Sequence, residues 1–101
     1  MLIREKDKLK IQYLAGKIFS KPLQILAYGS RVNGEAHDTS DLDLVIVSKD
    51  QTPIDIDEFG RFKDSLINSN IPILIQVMDW NRMPSSFKHN ILLNNEELFS
   101  S

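Results

Sequence analysis

The chain has 101 residues and a formal net charge of −2, and 42% of its residues are hydrophobic and 26% are charged. This length and composition exclude disordered and fibrous classes and predict a single domain spanning residues 1–101. The slight negative charge argues against a long nucleic-acid partner. The absence of cysteine excludes disulfides and thiolate metal sites, and no run of about 18 apolar residues occurs. We therefore expect a cytoplasmic protein that neither is secreted nor enters a membrane.

The first half of the chain predicts one helix and two strands. Apolar residues recur at helical spacing from about Lys6 to Phe19, and the apolar run from Leu23 to Tyr28 has the length of a strand. A short helical turn and a polar loop, rich in turn-forming residues, follow as far as Ser40. The stretch from Asp41 to Val47 alternates and then becomes continuously apolar, which is typical of a strand covered on both faces.

The second half predicts a helix, a strand and a last helix. The first of these is amphipathic from Ile56 to Leu66, and the strand extends from Ile71 to Met78. The last helix carries Phe87, Ile91 and Leu92 on one side. This order of elements predicts an α/β (α+β) fold in which a small mixed central sheet of three or more strands is flanked by helices.

Two carboxylates at the start of the second strand are the first candidates for chemistry. Asp41 and Asp43 are two positions apart, so their side chains project from the same face of the strand while Leu42 projects from the other. Two ionised carboxylates this close repel each other unless a cation lies between them, and Mg²⁺ or Mn²⁺ prefers such oxygen ligands. The pair predicts a divalent metal site. The alternative, a solvated start of a strand, remains open on this pattern alone.

A glycine and a serine follow the first strand directly. Gly29 permits a close backbone approach, and Ser30 begins a helical turn whose N–H groups suit a phosphate. The alternative is an ordinary turn between a strand and a helix. If the first two strands are neighbours, however, this turn and the carboxylates meet, and together they suit a nucleoside triphosphate with its metal.

These residues resemble a known family. Gly29-Ser30, ten intervening residues and Asp41-Leu42-Asp43 are similar to the signature of the DNA-polymerase-beta-like nucleotidyltransferase superfamily. The stretches from Gly29 to Gly34 and from Ser40 to Leu44 resemble its minimal, MNT-type branch, as found in HEPN/MNT toxin–antitoxin pairs. The resemblance covers nearly the whole chain, including Asp79-Trp80-Asn81 after the third strand.

The resemblance implies the polymerase-beta-like fold and the transfer of AMP from ATP to a hydroxyl, with release of pyrophosphate. It implies that Asp41 and Asp43 are catalytic and hold the metal ions, and that Gly29 and Ser30 bind the leaving phosphates. Arg31 either adds positive charge near these phosphates or is a solvated loop residue. The implied acceptor is a hydroxyl, such as that of a tyrosine, on a helical HEPN-type partner for which the chain serves as antitoxin.

The sequence departs from the family's pattern at the third carboxylate. Gln76 stands where the family places an aspartate on the next strand, and glutamine offers an acceptor oxygen but neither charge nor a general base. Asp79 takes over this role only if the strand bulges, because three positions along a regular strand reverse the face; otherwise it bonds the backbone before the last helix. Asn33 is a second departure, at a position that is often basic in these proteins.

Three functions remain open. The first is an enzyme that transfers AMP to a HEPN-type partner, and the second is a catalytically impaired pseudo-enzyme that neutralises the same kind of partner by binding, which Gln76 favours. The third is transfer to a small molecule such as an aminoglycoside, which requires a further substrate-covering domain or an oligomer. We expect a homo- or hetero-oligomeric assembly. His37 and His89 are predicted at the surface, and no role is assigned to Tyr28 or Trp80.

Overall fold

The computed structural model describes residues 3–33 and 41–101, and it describes only the backbone of Ser30 and Asn33. The predicted polar loop, with His37, lies outside the described residues. In chain order the elements are α1 (Glu5–Ile18), β1 (Leu23–Tyr28), α2 (Ser30–Asn33), β2 (Leu42–Ser48), α3 (Ile56–Ile67), β3 (Ile75–Asp79), a 3-10 turn (Trp80–Arg82), α4 (Ser85–Leu93) and β4 (Asn95–Ser100).

The four strands form one mixed sheet in the order β3-β2-β1-β4. Strand β1 is antiparallel to both β2 and β4, and β2 is parallel to β3. The mixed sheet with its flanking helices confirms the predicted fold class. In this sheet β1 and β2 are neighbours, which brings the residues after β1 beside the start of β2.

The sheet differs from the prediction at two places. Strand β4 was not predicted, because it is mostly polar and buries only Leu98 deeply. Strand β3 begins at Ile75 instead of Ile71. Pro72 lacks the N–H group that a ladder requires, and the chain joins the sheet through the carbonyl of Leu74, which accepts a hydrogen bond from the N–H of Leu42 at 2.9 Å.

The main core lies between one face of the sheet and the two longer helices. Ile11 and Ala15 of α1 and Phe62 and Leu66 of α3 pack against the alternate residues of β1 and β2. Helix α3 begins cleanly because the side chain of Asp55 accepts a hydrogen bond from the N–H of Glu58, a capping interaction of about 1 kcal/mol.

A smaller cluster covers the opposite face of the sheet, where Ile91 of α4 and Met83 pack against Val45. Of the three apolar residues predicted on one side of α4, only Ile91 is buried, while Phe87 and Leu92 are 57% and 65% exposed. The helix is short and contacts the sheet through a narrow stripe. Within the described residues, no helix has the length and apolar character needed to cross a membrane.

Candidate active site

The two aspartates lie at the beginning of β2, on the sheet face that carries α4. Leu42 and Leu44 are completely buried in the main core, so the intervening Asp43 points to the opposite face. Asp43 is directly opposite Tyr28 of β1 and Gln76 of β3 in the ladder. Both aspartates are partly buried, which keeps each of them accessible to a ligand.

Gly29 brings the backbone after β1 into contact with this pair. Its φ is +82°, a conformation that side chains with a Cβ rarely adopt. A Cβ atom at this position would lie 2.6 Å from Oδ2 of Asp43, which is closer than atoms tolerate. Glycine therefore suits the positive φ of the turn into α2, and a Cβ at this position would displace the Asp43 carboxylate.

The burial of Asp43 and its acidic neighbour Asp41 both oppose ionisation of the Asp43 carboxyl. Burial, and then the charge of Asp41, raises the pKa of the Asp43 carboxyl above its ordinary value. Burial, and then the charge of Asp43, likewise raises the pKa of the Tyr28 hydroxyl. Negative charge thus accumulates in a partly desolvated position, and a bound divalent cation would offset it. Sequence reasoning gave Tyr28 no role, and only its position just before Gly29-Ser30 could have indicated that it lies beside Asp43.

Gln76 lies beside the pair, where the third carboxylate was expected. It is exposed, and its Nε2 atom donates a long hydrogen bond of 3.4 Å to Oδ2 of Asp41. Among the described residues no group of three histidine, cysteine, aspartate or glutamate side chains is arranged to hold a metal. The donors that fit a divalent cation are therefore two carboxylates and, if its side chain turns, the amide oxygen of Gln76.

Asp79 does not reach this site. The pairing of β2 with β3 is regular from Gln76 to Asp79, so the alternative that requires a bulge is wrong. The Asp79 carboxylate is buried and accepts hydrogen bonds from the N–H groups of Ile54, at 2.8 Å, and Asn81, at 2.9 Å. Arg82 adds an ion pair at 3.4 Å. The predicted backbone-bonding role of Asp79 is confirmed.

Three other residues considered for the site are Arg31, His89 and Trp80. Arg31 of α2 is 6% exposed, so the alternative of a solvated loop arginine is wrong. His89 is exposed, as predicted. Trp80 packs against the smaller cluster, and Lys88 lies 5.2 Å from the centre of its ring.

Known proteins resemble this chain in sequence and in fold. Residues 10–101 match the family described as Polymerase beta, Nucleotidyltransferase. The probable protein adenylyltransferase MntA of Haemophilus influenzae is 36% identical over 67 residues, a match that covers 66% of this chain and 57% of that protein. The matched region thus spans little more than half of that relative.

Two crystal structures show the likeness in fold. A toxin–antitoxin structure with AMP-PNP superposes with a TM-score of 0.70 at 16% identity, covering 97% of this chain and 75% of the other. The complex of a tri-AMPylated Shewanella oneidensis HEPN toxin with its MNT antitoxin gives a TM-score of 0.67 at 14% identity, covering 98% and 74%. The chain belongs to the polymerase beta nucleotidyltransferase family, and the proteins it resembles include MntA and the chains of MNT–HEPN toxin–antitoxin pairs.

Proposed function

We propose that this chain is an MNT-type nucleotidyltransferase that binds Mg-ATP at Asp41 and Asp43 and transfers AMP to a hydroxyl of a HEPN-type partner, for which it is the antitoxin. The contact between Gly29 and Asp43 carries this proposal, because it joins the phosphate-binding turn to the carboxylate pair. The relatives named as an adenylyltransferase and as a complex with an AMPylated toxin support the same reaction.

In this proposal the metal, the phosphates and the positive charge are assigned to different residues of the chain. Asp41 and Asp43 hold the divalent cation, which stabilises charge on the triphosphate when bound. Gly29 and Ser30 accommodate the leaving phosphates, and the buried guanidinium of Arg31 lies in the same short helix and adds positive charge. The acceptor oxygen bonds to the α-phosphorus, the bond from this phosphorus to pyrophosphate breaks, and the hydroxyl proton passes to a carboxylate or to water.

A second candidate, the impaired pseudo-enzyme, is favoured by the hydrogen bond from Gln76 to Asp41. A third aspartate at this position would add negative charge that a metal would have to offset, whereas the amide of Gln76 donates a hydrogen bond to Asp41 and stabilises its charge without a metal. Such a protein would still bind the partner, with or without nucleotide, and would neutralise it by contact.

One experiment separates the two candidates. The natural chain and the Gln76→Asp variant are each mixed with Mg²⁺, ATP labelled at the α-phosphate and a HEPN-type partner protein. We expect label on the partner with the natural chain and at least tenfold faster labelling with Gln76→Asp, because the aspartate restores a charged ligand and a base. Gln51→Asp makes the same chemical change in an exposed loop and serves as the matched control.

Each labelling result supports one of the two candidate functions or contradicts the transfer reaction. Label with the natural chain supports a working enzyme. Label only after Gln76→Asp supports the pseudo-enzyme. No label with either chain contradicts the transfer reaction and leaves neutralisation by binding.

A further inference from the structure

An exposed, uncharged row of side chains borders the candidate site, on strand β3 and the residue before it. From Ile73 to Asp79 the side chains alternate between partly or fully buried and exposed, and the exposed ones are Leu74, Gln76 and Met78. Leu74 is 58% exposed and Met78 is 39% exposed, so both apolar side chains are available to a partner. We call Leu74, Gln76 and Met78 the β3 row.

The β3 row lies on the same sheet face as the aspartates. Ile73 and Ile75 pack against the main core, so the alternate residues of the row point to the other face. Gln76 is directly opposite Asp43 and contacts Asp41, and adjacent strands are about 4.8 Å apart. The apolar side chains therefore flank the position of the third carboxylate.

The row also lies at an edge of the sheet. In the part of the chain that the structure describes, β3 pairs with β2 alone. Edge strands of soluble proteins are commonly protected by charged side chains, but the row is leucine, glutamine and methionine. An uncharged, exposed row at an open edge indicates a surface that another molecule covers.

We infer that the β3 row is the docking surface for the protein that carries the acceptor hydroxyl, and that apolar side chains flank this hydroxyl on both sides. This inference rests on the proposed function, because a transferase must bring its acceptor to the carboxylates. From Leu74 to Met78 the row extends for about 13 Å, longer than a single side chain, so a protein segment fits it better than a small acceptor. A partner segment with acidic residues beside the acceptor hydroxyl would be repelled by Asp41 and Asp43.

Replacement of the two apolar side chains tests the inference. The double variant Leu74→Gln with Met78→Gln makes both exposed side chains polar without adding charge beside Asp41 and Asp43. We expect its dissociation constant for the HEPN-type partner to rise at least tenfold, while its binding of Mg-ATP, measured by calorimetry, stays unchanged. Leu9→Gln is the matched control, since Leu9 is 55% exposed on α1, which packs on the opposite sheet face.

Partner binding is measured without nucleotide, so that its result does not depend on catalysis. A double variant that binds the partner as tightly as Leu9→Gln overturns the inference, and so does a natural chain that does not bind the partner. Failure of the proposed reaction gives a different combination of labelling and affinity results. In that case label transfer is absent from the natural chain, while the double variant still loses its affinity for the partner.

Discussion

Gly29 shows how one residue without a side chain controls the candidate site. Its positive φ and the 2.6 Å approach of a would-be Cβ to Asp43 make the substitution Gly29→Ala costly. The backbone strain alone lowers the free energy of unfolding by about 1–3 kcal/mol. We also expect the displaced carboxylate to weaken Mg-dependent ATP binding at least tenfold. Urea denaturation and calorimetry with Mg-ATP measure the two effects.

Gly60 provides the control for this substitution. It lies inside α3, and a Cβ there meets nothing within 4 Å. Gly60→Ala should stabilise the chain by up to about 1 kcal/mol, because alanine is the better helix former. If both alanine variants bind Mg-ATP like the natural chain, Gly29 has no special relation to the site.

Asp79 is the second residue whose role the structure defines. Its buried carboxylate bonds the N–H groups of Ile54 and Asn81, so Asp79→Ala leaves both donors without their partner. We expect a loss of about 3 kcal/mol in the free energy of unfolding, with ATP affinity unchanged in the molecules that remain folded. Asp64→Ala, at an exposed position of α3, should change stability by less than about 0.5 kcal/mol. Loss of ATP binding at full stability would instead make Asp79 part of the site.

Strand β4 is the element that the local pattern of residues did not predict. Periodicity identified α1, β1, β2 and α3 to within one or two residues, because each has an apolar face that repeats at the period of its element. Strand β4 begins directly after α4, and three of its first four residues are exposed and polar. Its place in the sheet depends on pairing with β1, a long-range contact that the local pattern does not contain.

The candidate site was predictable in part, for a related reason. Gly29, Ser30, Asp41 and Asp43 are adjacent to strand ends in the sequence, so alternation and strand pairing suffice to bring their backbones together. The hydrogen bond between Gln76 and Asp41, and the position of Tyr28 beside Asp43, depend on the register of three strands. No pattern within one strand specifies that register.

Leu98 is expected to secure β4 to the rest of the molecule. It is 2% exposed in the main core, while the backbone of β4 pairs with β1 through an irregular register. Leu98→Ala should lower the free energy of unfolding by about 2–5 kcal/mol, because it removes buried methyl groups and leaves a cavity. Leu93→Ala, at a position 72% exposed, is the control and should change it by less than about 0.5 kcal/mol. Equal denaturation midpoints for the two variants would mean that β4 contributes little to the folded state.

The sheet separates two places at which a nucleotide could bind. The face that carries α4 holds the aspartates. On the other side, a groove of about 600 Å³ lies between α1 and α3 and is lined partly by Lys10, Lys17 and Arg61. These cations are a competing location for an anion, so a nucleotide-binding measurement has to discriminate between the two sides of the sheet.

The effect of Mg-ATP on the free energy of unfolding distinguishes the carboxylate pair from this groove. Mg-ATP at about 100 times its dissociation constant should raise the free energy of unfolding by about 2.7 kcal/mol, since only the folded chain presents the site. Asp41→Asn and Asp43→Asn should each abolish this increase, and ATP with a chelator in place of Mg²⁺ should give little of it. If the increase persists in both variants and disappears in Lys17→Glu with Arg61→Glu, the nucleotide binds in the groove between α1 and α3, and the carboxylate pair is not its site.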